Sequence, residues 1–139
     1  MKIEKITFAL LFTLFIGLLT LTFASSEAQS PATANRVLSE ALPNVPGKRL
    51  TAVVVTYAPG GKSTKHRHAG SVFAYVLSGA IRSENSATGA ARVYHPGESF
   101  FEPPGSIHRV SENASASEPA SLLAVFVADE GAQLTVEEK

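Results

Sequence analysis

The sequence predicts an all-β protein, a single-domain β-barrel or sandwich preceded by an N-terminal signal segment. Three observations predict it. Short segments rich in Val, Thr and aromatic residues alternate with turn signals every 8–12 residues from Leu50 onward. No long amphipathic helical pattern follows the first apolar run, and no glycine-rich phosphate or dinucleotide fingerprint interrupts the chain. At 139 residues the chain has the length of one domain.

The elements follow in order. Lys2 and Lys5 precede an uncharged apolar run from Ile6 to Ala24, and small polar residues come next. This is the layout of a signal peptide over residues 1–28, with small-x-small cleavage sites at Ser26-Glu27-Ala28 and Thr22-Phe23-Ala24. The run is also long enough to cross a bilayer, so an uncleaved anchor is the alternative. Either way the expectation is an exported protein, periplasmic or secreted, touching a membrane only through this segment.

Residues 29–49 read as a linker and N-terminal arm. Within it, Arg36 to Leu42 fits a short helix or an edge strand equally, and Pro43 to Gly47 is a turn. The barrel is expected over residues 50–128. Its strands are Leu50 to Tyr57, Val72 to Leu77, Ser99 to Glu102, Ile107 to Ser111 and Leu122 to Val127. Ala80 to Glu84 and Ala91 to Tyr94 form a hairpin across Asn85 to Gly89. The acidic tail, residues 129–139, is expected to be loose, with an optional edge strand at Gln133 to Val136.

Charge and cysteine content exclude several classes. Lys+Arg and Asp+Glu are 12 each, which gives no basic footprint for nucleic acid. There is no cysteine, hence no disulfide and no thiolate metal ligand.

Three of the four histidines sit in two patterned segments, Gly60-Gly-Lys-Ser-Thr-Lys-His66-Arg-His68 and Gly97-Glu-Ser-Phe-Phe-Glu-Pro103-Pro-Gly105-Ser-Ile-His108. In extended backbone His66 and His68 project to one face, while Lys65 and Arg67 project to the other. A third imidazole from a neighbouring strand, His108, would complete a three-nitrogen face for one divalent transition ion: Fe, Zn, Ni, Mn or Cu.

These two segments resemble the cupin motifs G(X)5HXH(X)3–4E(X)6G and G(X)5PXG(X)2H(X)3N. Gly60, His66, His68 and Gly79 fit the first; Gly97, Pro103, Gly105 and His108 fit the second. Val72 stands where the first motif has its glutamate, the usual fourth ligand. Glu112 stands at the terminal asparagine position, with Asn113 one residue late. The resemblance implies a jelly-roll barrel with a metal at His66, His68 and His108. It also implies a three-histidine site closer to thiol and β-diketone dioxygenases than to oxalate-degrading cupins, and pairing of two copies through edge strands as a homodimer.

Glu102 precedes the second-motif prolines, and the diketone-cleaving cupins are similar in carrying a glutamate there. It is the candidate catalytic residue; the roles open to it are general base, orienting acceptor for a ligand imidazole, or displaced fourth ligand. Strand alternation puts Val72, Ala74 and Val76 on the pocket side and assigns Phe73 and Tyr75 to packing between sheets. Phe100 shares parity with Glu102 and is expected in the pocket. His95, in a turn, is left out of the site, and Arg82 is expected in solvent. Asn113-Ala-Ser115 matches the glycosylation sequon.

The functional expectation is a metal-dependent enzyme, dioxygenase-like or using related Lewis-acid chemistry, on a small oxygenated organic substrate. The alternative is a non-catalytic module that binds or senses a metal or small ligand.

Overall fold

A computed structural model describes residues 32–139. The signal segment therefore lies outside the described residues. The described part contains ten strands and no helix. They are β1 (Thr33–Ala41), β2 (Lys48–Tyr57), β3 (His66–His68), β4 (Ser71–Ser78), β5 (Ile81–Asn85), β6 (Arg92–Tyr94), β7 (Ser99–Glu102), β8 (Ile107–Asn113), β9 (Ala120–Asp129) and β10 (Thr135–Glu137).

Two antiparallel five-stranded sheets, β1-β2-β9-β4-β7 and β10-β3-β8-β5-β6, face one another as a jelly-roll barrel. From β3 onward consecutive strands alternate between the sheets, except for the β5–β6 hairpin, which stays within the second sheet. The segment whose pattern fits helix or edge strand equally is strand β1, at the edge of the first sheet. The tail supplies β10, which pairs with β3 and closes the edge of the second sheet beside His66 and His68.

Period-two alternation builds the core. β9 buries Ala120, Leu122, Ala124, Phe126 and Ala128, and β4 buries Val72, Ala74 and Val76. Each fully buried valine contributes about 1.5–3 kcal/mol relative to exposure. All of these except Ala128 join Tyr57 and Ile81 in one cluster between the sheets.

The same alternation overturns the packing expected for Phe73 and Tyr75. With Val72 and Ala74 inward, both aromatics must face out, and they are 45% and 38% exposed. They stack on each other at 6.5 Å on the outer face of the first sheet. A cross-strand row there, Leu38, Ala52, Val125, Phe73 and Phe101, runs in register across all five strands. The sequence shows that a strand has two faces; it does not show which face is covered when both are apolar.

Candidate metal centre

The centre is built from the second sheet. β3 is only three residues long, with the burial pattern buried, exposed, buried. His66 and His68 point inward and Arg67 points out, where Glu138 pairs with it. β3 lies against β8 with His66 directly opposite His108. The Pro103 to Ser106 turn leads into β8, and Gly105 sits there at φ +72°, a conformation that favours glycine. Its amide donates to the His68 carbonyl at 3.0 Å, tying the turn to the ligand strand.

The three imidazoles offer nitrogen atoms that all lie within 4.8 Å of one another, and all three residues are buried. His66 Nδ1 lies 2.6 Å from the Thr64 carbonyl, and His68 Nδ1 lies 2.9 Å from the Leu134 carbonyl. A carbonyl only accepts, so each Nδ1 carries the proton and each Nε2 lone pair is left free. Fixing the tautomer through a backbone acceptor is the arrangement metal-ligating histidines need.

His108 differs. Its Nδ1 lies 3.0 Å from Glu102 Oε1, and its Nε2 lies 2.8 Å from Ser83 Oγ. In this network Nδ1–H donates to the carboxylate and the Ser83 hydroxyl donates to Nε2. Both nitrogens are engaged, so an ion taken up here would displace one of these hydrogen bonds. The donor set nevertheless fits a divalent transition metal: three neutral imidazoles with a carboxylate beside them.

Glu102 is brought into the same cluster. It is 2% exposed, its Oε2 lies 3.9 Å from His68 Nε2, and Asn85 donates to that same oxygen at 3.1 Å. Asn85 is held in turn by Ser106 Oγ at 2.9 Å. Glu102 on β7 stands directly opposite Val72 on β4. Direct cross-strand partners share a face with their Cβ atoms about 4.5–5.5 Å apart. A carboxylate thus reaches the imidazole face from the neighbouring strand, next to the position where Val72 cannot supply one.

The electrostatics follow from burial. Desolvation pushes the His66 and His68 pKa values below the ordinary imidazole value, against the Thr64 carbonyl at His66 and the Glu102 charge at His68. Burial alone would raise Glu102. The His108 hydrogen bond, helped by attraction to the surrounding imidazoles, outweighs it and holds the carboxyl below its usual range.

A cavity of about 420 Å³ opens onto this face. Val72, Ala74, Leu122 and Ala124 line it as the inward small residues of β4 and β9, and Phe100 lines it as its parity requires. Phe126 packs edge-on to His68 at 5.1 Å, and Phe100 edge-on to His108 at 6.0 Å. His95 is exposed and outside the cavity. Arg82 is at the surface, paired with Glu112 at 2.9 Å. Asn113 is buried, and its amide donates to the Ala58 and Glu118 carbonyls, so the sequon asparagine serves the fold.

Sequence reasoning missed Ser83, Asn85, Tyr57, Ser63 and Ser111. The first two share an inward face with Ile81 at period two on β5, a signal that was available. Ser111 was hidden by a bulge. The β5–β8 register shifts between Glu84 and Asn85, so His108 and Ser111 both face inward although three residues apart.

A family model described as the cupin domain matches residues 53–126, more than half of the chain. The chain belongs to the cupin family. As a cupin it is similar to the DMSP lyase DddQ from Ruegeria pomeroyi, at 21% identity and TM-score 0.62, over 76% of this chain and 51% of that one. It thus spans about half the length of that lyase. It is also similar to an uncharacterized conserved protein with a double-stranded β-helix domain from Klebsiella pneumoniae, at 24% identity and TM-score 0.60, covering 78% and 85% of the two chains. The polyketide cyclase RemF from Streptomyces resistomycificus matches at 20% identity and TM-score 0.56, covering 78% and 73%. At these identities the likeness is one of fold. No curated protein sequence matches the chain.

Proposed function

We propose that this cupin is an exported metal-dependent enzyme acting on a small oxygenated organic molecule, with His66, His68 and His108 holding one divalent transition ion and Glu102 handling the substrate proton. The observation that carries the reading is the Glu102 carboxylate, buried 3.0 Å from His108 and 3.9 Å from His68, at a cavity of small-molecule size. A buried carboxylate held ionised next to a ligand set is a candidate base. A lyase and a cyclase among proteins of the same fold agree with chemistry on small organic substrates.

The ion, when bound, would supply a Lewis-acid centre for a substrate oxygen, or an O2 site if it is Fe(II). The chain's own residues do the rest. Asn85 and His108 orient the two carboxylate oxygens, so Glu102 faces the cavity in one geometry. Phe100, Phe126 and the aliphatic lining surround the polar groups with apolar surface, which strengthens each polar contact there. Glu102 takes a proton from carbon or oxygen of the bound molecule and returns it within the same site.

A second reading of Glu102 is favoured by its register opposite Val72: a fourth ligand reaching the ion from β7 instead of β4. Glu102→Gln separates the two, because it keeps the shape and the three imidazoles. A base predicts full metal content with turnover lowered roughly a hundredfold or more. A ligand predicts that metal affinity falls together with turnover. Full metal content with undiminished turnover contradicts both, and no turnover by the wild type across a broad screen of oxygenated substrates would favour a binding module.

A further inference from the structure

The cavity has a second polar end away from the imidazoles. Tyr57, at the end of β2, is 2% exposed, and its hydroxyl lies 2.6 Å from Ser111 Oγ and 3.2 Å from Ser63 Oγ. All three hydroxyls line the cavity. Each hydroxyl carries one donor, and the two mutual hydrogen bonds use two of the three. One O–H therefore remains to donate to a guest. Burial also pushes the Tyr57 pKa up, which keeps this hydroxyl protonated.

Charge at the rim is divided in the same direction. Lys62, next to Ser63, lines the hydroxyl end, and no ion pair engages its ammonium among the described residues. Glu137 lines the opposite end, in register with His66 on the adjoining strand. Together with Glu102 it makes the imidazole end the more negative one in the metal-free chain, and it offsets the charge of an ion bound there. His108 and Ser111, three residues apart on β8, put the two poles about 7–10 Å from each other at roughly 3.3 Å per residue. Apolar residues of β4 and β9 line the cavity beside both poles.

We propose that Tyr57, Ser63 and Ser111, with Lys62 at the rim, form a carboxylate-binding pole, so that the ligand is a short aliphatic carboxylate whose second oxygen function points to the imidazole face. This deepens the enzyme reading above and rests on it only for what the second oxygen meets. The lone surplus O–H and the ammonium are both donors, and their bonds to a carboxylate are charge-assisted, where bonds to a neutral oxygen are weaker.

The probe is levulinate, a keto carboxylate, titrated calorimetrically into Zn(II)-loaded and metal-free protein beside its neutral methyl ester and acetate. Levulinate should bind more tightly than either control. Tyr57→Phe should weaken it about tenfold, because it removes the central hydroxyl that orders Ser63 and Ser111 and with it the aimed hydrogen bond to a charged group. Lys62→Met should weaken it about two- to fivefold, less at high salt. Neither substitution should change Zn(II) uptake, and each should weaken the ester less than it weakens levulinate. If Tyr57→Phe fails to fold, Ser111→Ala replaces it with the same expectation. Unchanged levulinate affinity in folded variants, or levulinate binding no better than its ester, overturns the proposal. Tyr57 and Lys62 dependence that persists in a protein unable to take up Zn(II) would uphold the carboxylate pole and remove the metal reading alone.

Discussion

Three residues at the centre are histidines whose protons are controlled by what surrounds them. His66 and His68 have pKa values lowered by burial, so the folded chain binds fewer protons than the unfolded chain below about pH 6.5. Stability then rises with pH across that window and is lost as pH falls through it. The midpoint of thermal unfolding of metal-free protein should therefore drop between about pH 7.5 and about pH 5.5, above the ordinary carboxylate range. Replacing both residues by Asn should flatten the dependence in that window; an equally steep curve in the double variant would show that other groups cause it. The shared inward face of His66 and His68 was legible in the sequence because period two is a rule of extended backbone, and His66-Arg-His68 satisfies it alone. The surroundings of Glu102 were not, because Asn85 reaches it, and Ser83 reaches its partner His108, through pairing between strands distant in sequence.

Among the elements, turns decide where the ligand strands meet. Gly79 closes the first motif at φ +68°, and a Cβ added there would lie 2.6 Å from the Pro119 carbonyl oxygen and 2.7 Å from the Ala120 Cβ. Gly79→Ala therefore incurs both a left-handed backbone penalty and a clash against backbone, on the order of 2 kcal/mol or more. Chemical denaturation should show the loss with an unchanged slope; a variant as stable as the wild type would mean that the β4–β5 turn relaxes freely. The strands of the barrel were legible from their β-branched runs and turn residues. The role of the Arg36 to Leu42 segment was not, since its pattern fits helix and edge strand alike until β2 is present to pair with it. Likewise the outward stack of Phe73 and Tyr75 depends on which sheet face lacks a covering layer, a property of the assembled barrel.

For the whole molecule, two expectations meet: a leader that would export the chain and a barrel that would hold an ion outside the cytoplasm. The N-terminal layout predicts a mature chain beginning near Gln29 or Ser25, just ahead of β1. Mass spectrometry of extracytoplasmic protein checks this, and a soluble cytoplasmic chain starting at Met1 contradicts it. The central claim is that His66, His68 and His108 form one metal site, and elemental analysis of protein purified from its native compartment tests it most directly. The account predicts about one divalent transition ion per chain, as one three-imidazole cluster implies, with the ion largely lost in folded His66→Ala and His108→Ala variants. Equal metal content in the wild type and both variants, or none in any of them, would contradict it.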